Sequence, residues 1–143
     1  MRTKALERTR FVNYRGRADE FFRGMLDEAW AERYNAAALL GIHAAIALSD
    51  AVAIHQVGKR AADDQHLSAV RLLEIVCQGA GIDSRGAMRL GEIVSGKNDL
   101  AYSDRYVATD TDQVQRIRRN VERFFTWAYR NFGFLGPEPA QGG

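Results

Sequence analysis

The stretch Tyr34–Val57, YNAAALLGIHAAIALSDAVAIHQV, limits the fold of this chain more than any other. It holds no proline, one carboxylate at Asp50, and mainly alanine and leucine, which are the least costly residues to place in a helix. At 3.6 residues per turn it predicts a central helix of roughly seven turns. Its apolar residues fall all round the axis, the pattern of a helix enclosed by partners. Ala36, Ala37, Gly41, Ala44, Ala47 and Ala51 are small enough to let those partners come close. The stretch is also long enough to cross a bilayer. Asp50, His43, His55 and Gln56 argue against a span, because a carboxylate in hydrocarbon is expensive and no second apolar segment exists to shelter it. A core helix, with no membrane involved, is the expectation.

The segments on either side supply the partners. Residues 1–17 carry Arg2, Lys4, Arg8, Arg10, Arg15 and Arg17 against one acid, Glu7, and are expected to form a basic, loosely ordered arm. A helix is predicted over Ala18–Ala31, where Phe21, Phe22, Met25, Leu26, Ala29 and Trp30 recur at steps of three and four. The central helix should stop at Gly58, whose freedom at positive φ suits a C-cap. A third helix is predicted from about Asp63 to Gln78, with Asp63 or Asp64 as N-cap and Leu67, Val70, Leu72, Leu73 and Val76 as its apolar face. A fourth is predicted over Ser84–Val94, with a break or bend at Ser95-Gly96. Residues 97–107 show no clear period. The last helix follows Asp110, with Gln113 three residues on as a capping-box variant, and its core stripe is Val114, Ile117, Val121, Phe124, Ala128 and Phe132. Residues 18–133 thus form the helical domain, and 134–143, with both prolines, a flexible tail. No β-sheet is expected.

At 143 residues the chain is sized for one domain with a genuine core. A net charge of +2 is too small by itself to imply nucleic acid. The single cysteine, Cys77, excludes an internal disulfide and suits a reducing compartment. Its apolar neighbours mark it as a small buried hydrophobe. No apolar run follows the basic N-terminus, so no secretory signal is read, and a bacterial cytoplasm is the expected location.

Motifs that carry known chemistry are few. There is no P-loop, dinucleotide fingerprint, nucleophile elbow or HExxH pair. His43 and Asp50, seven apart, share a helical face but stand roughly 10 Å apart along the axis, too far to share an ion, and neither metal nor cofactor is expected. The last helix has a second stripe opposite its core: Arg116, Arg119, Arg123 and Arg130, with Trp127 among them. Guanidinium groups beside an aromatic suit phosphate binding and base stacking. They equally suit a subunit interface or a plain solvated face.

Two longer segments point to a family. AAIALSDAVAIHQVGKRAADDQHLSAVRLL resembles the second and third helices of HEPN domains: an alanine-rich helix with Asp50-Ala51, the Gly58 stop, and an acidic turn leading to His66. KNDLAYSDRYVATDTDQVQRIRRNVERFFTWAYRNF is similar to the end of the family, a polar motif with a tyrosine, an acidic turn, then a long aromatic helix. The resemblance spans about Glu20 to Phe132. It implies an all-α, HEPN-like up-and-down bundle of four to five helices, commonly homodimeric. Many members are ribonucleases, often the toxin of a toxin–antitoxin pair, or partners of small nucleotidyltransferases. Active ribonucleases of the family carry Arg, a polar residue, about three others, then His. In this chain Lys97 stands in place of the Arg, Asn98 keeps the polar residue, and Tyr102 replaces the His.

That replacement matters chemically. A histidine exchanges a proton near neutrality, whereas a tyrosine with an ordinary pKa near 10 does not. Lysine neutralises a phosphate but lacks the bidentate fork of arginine. The expectation is therefore a non-catalytic binding or interaction module engaging RNA, a nucleotide or a protein partner. Asp50, Lys97, Asn98, Tyr102 and Arg105 are its binding candidates. The alternative is a metal-independent ribonuclease or a toxin–antitoxin component, with Lys97, Tyr102 and His66 as the catalytic candidates.

Overall fold

In a computed structural model of the chain, residues 1–63, 66–102 and 111–141 are described, with the backbone alone for 97–102 and 111. The protein is all-α apart from one pair of short strands. Strand β1 (Thr3–Ala5) leads through a 3-10 turn at Arg8–Arg10 into helix α1 (Phe11–Trp30). Helix α2 (Tyr34–Val57) follows, then strand β2 (Lys59–Ala61), α3 (Leu67–Ala80), α4 (Arg85–Tyr102) and α5 (Thr111–Asn131), with a last 3-10 turn at Gly133–Leu135.

The alanine-rich stretch is the axis of the bundle, and α2 touches each of the other four helices. Its length and composition would let it cross a membrane, but 72% of its most apolar window is buried inside the bundle. Small residues allow this enclosure. A Cβ added at Gly41 would lie 2.6 Å from Met25 Sδ and 3.3 Å from Val121 Cγ2, so α1 and α5 both close on α2 at that point. Helix α1 runs antiparallel to α5, since Phe22 stacks on Phe125 while Tyr129 donates to Asp19 Oδ1 at 2.8 Å. The predicted stripe of α5 is buried throughout, and Phe125 and Tyr129 join it. Burial and the bond to Asp19 together push the Tyr129 hydroxyl well above its usual range.

Helix ends follow local chemistry. Gly58 and Gly81 adopt the left-handed conformation (φ 70° in both) and stop α2 and α3. Ser95-Gly96 does not break α4, which continues to Tyr102. The N-cap of α3 is His66 rather than Asp63. The Asp63 carboxylate instead accepts from Ser68 Oγ at 2.8 Å and from the Arg2 amide at 3.1 Å. Asp64 and Asp110 lie outside the described residues.

The ends of the chain depart most from expectation. The basic arm is folded: β1 pairs antiparallel with β2 (Thr3 with Ala61, Lys4 with Arg60, Ala5 with Lys59), and α1 starts at Phe11 instead of Ala18. The tail is held too: Leu135 is buried, and Glu138 and Gln141 hydrogen-bond to α5. An aromatic clamp explains both. His55 of α2 stacks flat on Phe134 (3.6 Å, 6°), and Phe11 meets both rings edge-on. Two-stranded pairs are marginal alone, and here the pair is tied to the bundle through Phe11. Burial, with Arg8 nearby, holds the His55 imidazole below its ordinary pKa.

Candidate functional site: a basic cleft between the fourth and fifth helices

Helix α5 turns Val114, Ile117, Val121 and Phe124 into the core, so Arg119, Arg123 and Arg130 fall outside. Helix α4 lies antiparallel beside it. Gly86 meets Trp127 near one end, and Arg89 Nη1 donates to Asn120 Oδ1 at 3.0 Å nearer the other. A Cβ at Gly86 would stand 2.3 Å from three atoms of the Trp127 ring, so only glycine lets the helix backbone seat on the indole. The indole is held from behind by Phe124 and Phe132, with centroids 5.8 and 5.7 Å away.

Between the helices opens a cleft of about 650 Å³. Arg85 and Arg89 line it from α4; Arg119, Arg123 and Arg130 line it from α5 around Trp127. Its carboxylates are Asp83 and Glu122, so five guanidinium groups face two acids. Glu122 is engaged by Arg118 Nε at 2.8 Å, a residue outside the lining. Among the described residues, none of the five lining arginines is ion-paired. Arginine stays protonated at any relevant pH, and a concave wall of one sign focuses the field into the cleft. Among the described residues, Trp127 Nε1 is buried without an acceptor.

Of the stripe read from the sequence, Arg119, Arg123, Arg130 and Trp127 meet in this cleft, whereas Arg116 lies on the preceding turn and does not line it. Arg85 and Arg89 belong to no such stripe in the sequence. Their signal was an arginine pair one turn apart, on a helix whose neighbour the sequence alone does not identify.

Asp50 and His66, drawn from the resemblance, do not line this cleft. Asp50 lies in a smaller groove of about 240 Å³, with Tyr14, Arg17 and Phe21 from α1, His43, Ile46 and Ala47 from α2, and Arg60 from β2. Burial raises its carboxyl to about 7, against the pull of Arg60 and then Arg17. Both guanidiniums sit over the Tyr14 ring, 4.8 Å away for Arg17 and 5.9 Å for Arg60. His66 precedes α3, partly buried. Lys97, Asn98 and Tyr102 occupy the last turns of α4, about 12 Å along the axis from Arg89 to Lys97. Arg105 lies outside the described residues. Cys77 is buried and its thiol is pushed up to about 11, chiefly by desolvation, which makes it unreactive at neutral pH. Among the described residues, no three His, Cys, Asp or Glu side chains converge where an ion could sit. No protein-family model, curated protein or solved structure matches the chain.

Proposed function

We propose that this chain is a HEPN-like, non-catalytic binding module whose α4–α5 cleft takes a phosphate-bearing ligand, RNA or a nucleotide. One observation carries the proposal: five arginines from two helices, none of them ion-paired among the described residues, surround a tryptophan in a single concavity. Arginine forks match phosphate oxygens in pairs, and indole and guanidinium planes both accept stacked bases. Absence of catalysis follows from the chemistry of the altered motif, where Tyr102 stands at the place of the family's base. A homodimer belongs to the same proposal, and sedimentation of the purified chain tests it.

The direct test is fluorescence anisotropy with a labelled single-stranded RNA of mixed sequence. Binding should weaken as salt rises, with a logarithmic slope of about −0.7 per neutralised phosphate. Arg119→Ala with Arg123→Ala should lower both affinity and slope. The same RNA, incubated in EDTA with the parent, Lys97→Ala and Tyr102→Phe, should stay intact. Cleavage that disappears in both variants would replace the binding reading with that of a ribonuclease.

A further inference from the structure

The cleft has one wall that neither helix supplies. After the buried Leu135 anchor, Gly136 takes φ 82°, a conformation that favours glycine, and the chain turns back along α5. Its contacts move steadily toward the start of that helix. Glu138 Oε1 accepts from Thr126 Oγ1; three residues on, Gln141 Nε2 donates to Thr126 Oγ1 at 2.9 Å and to the Glu122 carbonyl at 3.3 Å. Gln141 Nε2 also reaches Glu138 Oε1 at 3.4 Å, which ties the segment to itself. Pro137 and Pro139 restrict the backbone between these contacts. Thr126, Glu122 and Gln141 all line the basic cleft, so the segment forms part of its rim.

From this geometry we infer that residues 137–141 are an autoinhibitory strap, laid over the edge of the arginine cleft and displaced when an anionic ligand enters. Two features make it a strap rather than a fixed wall. Its hydrogen bonds are exposed, so water replaces them at little cost. It also brings a carboxylate, Glu138, to the edge of a cluster of positive charge, where a ligand phosphate would compete with it. The anchor at Phe134 and Leu135 stays in the core while the strap moves, with Gly136 as the pivot. The strap itself rests only on access to the cleft; the nature of the displacing ligand rests on the phosphate-binding reading above.

The test uses the full chain carrying Trp30→Phe, which leaves Trp127 as the only tryptophan of the two. Trp30 is 90% exposed at the end of α1, so its replacement leaves the core intact. In this background Thr126→Val with Gln141→Ala removes the strap's contacts to α5 without changing any charge. Iodide quenching of Trp127 fluorescence should rise in the double variant, and affinity for tripolyphosphate should rise about three- to tenfold as the competent fraction grows. Unchanged quenching, in this variant and in Gln141→Ala alone, overturns the strap whatever the polyphosphate does. Increased quenching with no tripolyphosphate binding in either protein keeps the strap and removes the phosphate reading.

Discussion

Two concave regions of this molecule join arginine to an aromatic ring, and they use it in opposite ways. In the groove beside Asp50, Arg17 and Arg60 lie over the Tyr14 ring and share the space with a desolvated carboxylate. Their charge acts on groups of the protein itself, the Tyr14 ring and the Asp50 carboxylate. In the α4–α5 cleft, five arginines surround Trp127 with two acids among them, one engaged by an arginine outside the lining. Their charge is left for something else. Arginine beside an aromatic is therefore not a signature of binding. The local charge balance, and whether the ring is already covered by guanidinium groups, separates a structural cluster from a ligand site.

The largest expected effect sharpens the first half of that comparison. Asp50 has its carboxyl raised to about 7 in the folded protein, against about 3.9 in an unfolded chain. The folded state therefore holds the proton more tightly, and this group's contribution is fully present below about pH 4 and lost as pH rises through 7. Asp50→Asn should be more stable than the parent at pH 8 by about 2–4 kcal/mol, with the gap closing toward pH 4. Urea denaturation at both pH values measures it. Equal stabilities at pH 8 would mean that Arg60 and Arg17 compensate the carboxylate in full, so that the groove holds a balanced ion cluster rather than a desolvated acid.

Gly86→Ala comes next and strikes the second region. The new methyl has no room against the Trp127 ring, and overpacking of this kind costs about 1–3 kcal/mol. The melting temperature should fall and the Trp127 emission should shift. A variant with the parent's stability and emission would mean that α4 does not seat on the indole.

Much of this architecture was legible in the sequence, and the exceptions have physical causes. Local signals worked where the chain acts alone: Gly58 and Gly81 stop their helices, and the α5 stripe is buried as its spacing demands. Signals failed where a distant partner decides the outcome. Residues 3–5 become a strand only because β2 runs beside them, and Phe11 and Phe134 are ordered by His55, more than forty residues from either. Trp30 and Leu67 fit an apolar period yet stand exposed, because no element among the described residues packs against those turns. Half of the candidate cleft was readable as the α5 stripe. The other half, Arg85 and Arg89, needed the antiparallel seating of α4 on Trp127.

A smaller effect separates the two groups of arginines by function. Arg123→Ala should weaken binding of single-stranded RNA several-fold and reduce its salt slope by about 0.7, the loss of one phosphate contact. Arg17→Ala, which changes the net charge equally, should leave the slope unchanged. Equal losses from both would indicate that overall charge, rather than the cleft, attracts the RNA.

The smallest effect lies within the Asp50 groove. Both arginines there oppose the rise of the Asp50 carboxyl, and Arg60 does so more strongly than Arg17. Removing either charge while keeping the stem, as Arg60→Met or Arg17→Met, should move the Asp50 titration further upward. The shift should be larger for Arg60, read from the side-chain carboxyl carbon by NMR across pH 4–9. Global stability should fall by about 1 kcal/mol or less in each case, because a cation over a half-buried ring such as Tyr14 contributes about that much. A downward shift in either variant would mean that desolvation by the arginine stems, which the Met variants keep only in part, outweighs their charge. The groove would then be a dry pocket in which the guanidiniums act as lids, and its difference from the open cleft would lie in water content before sign of charge.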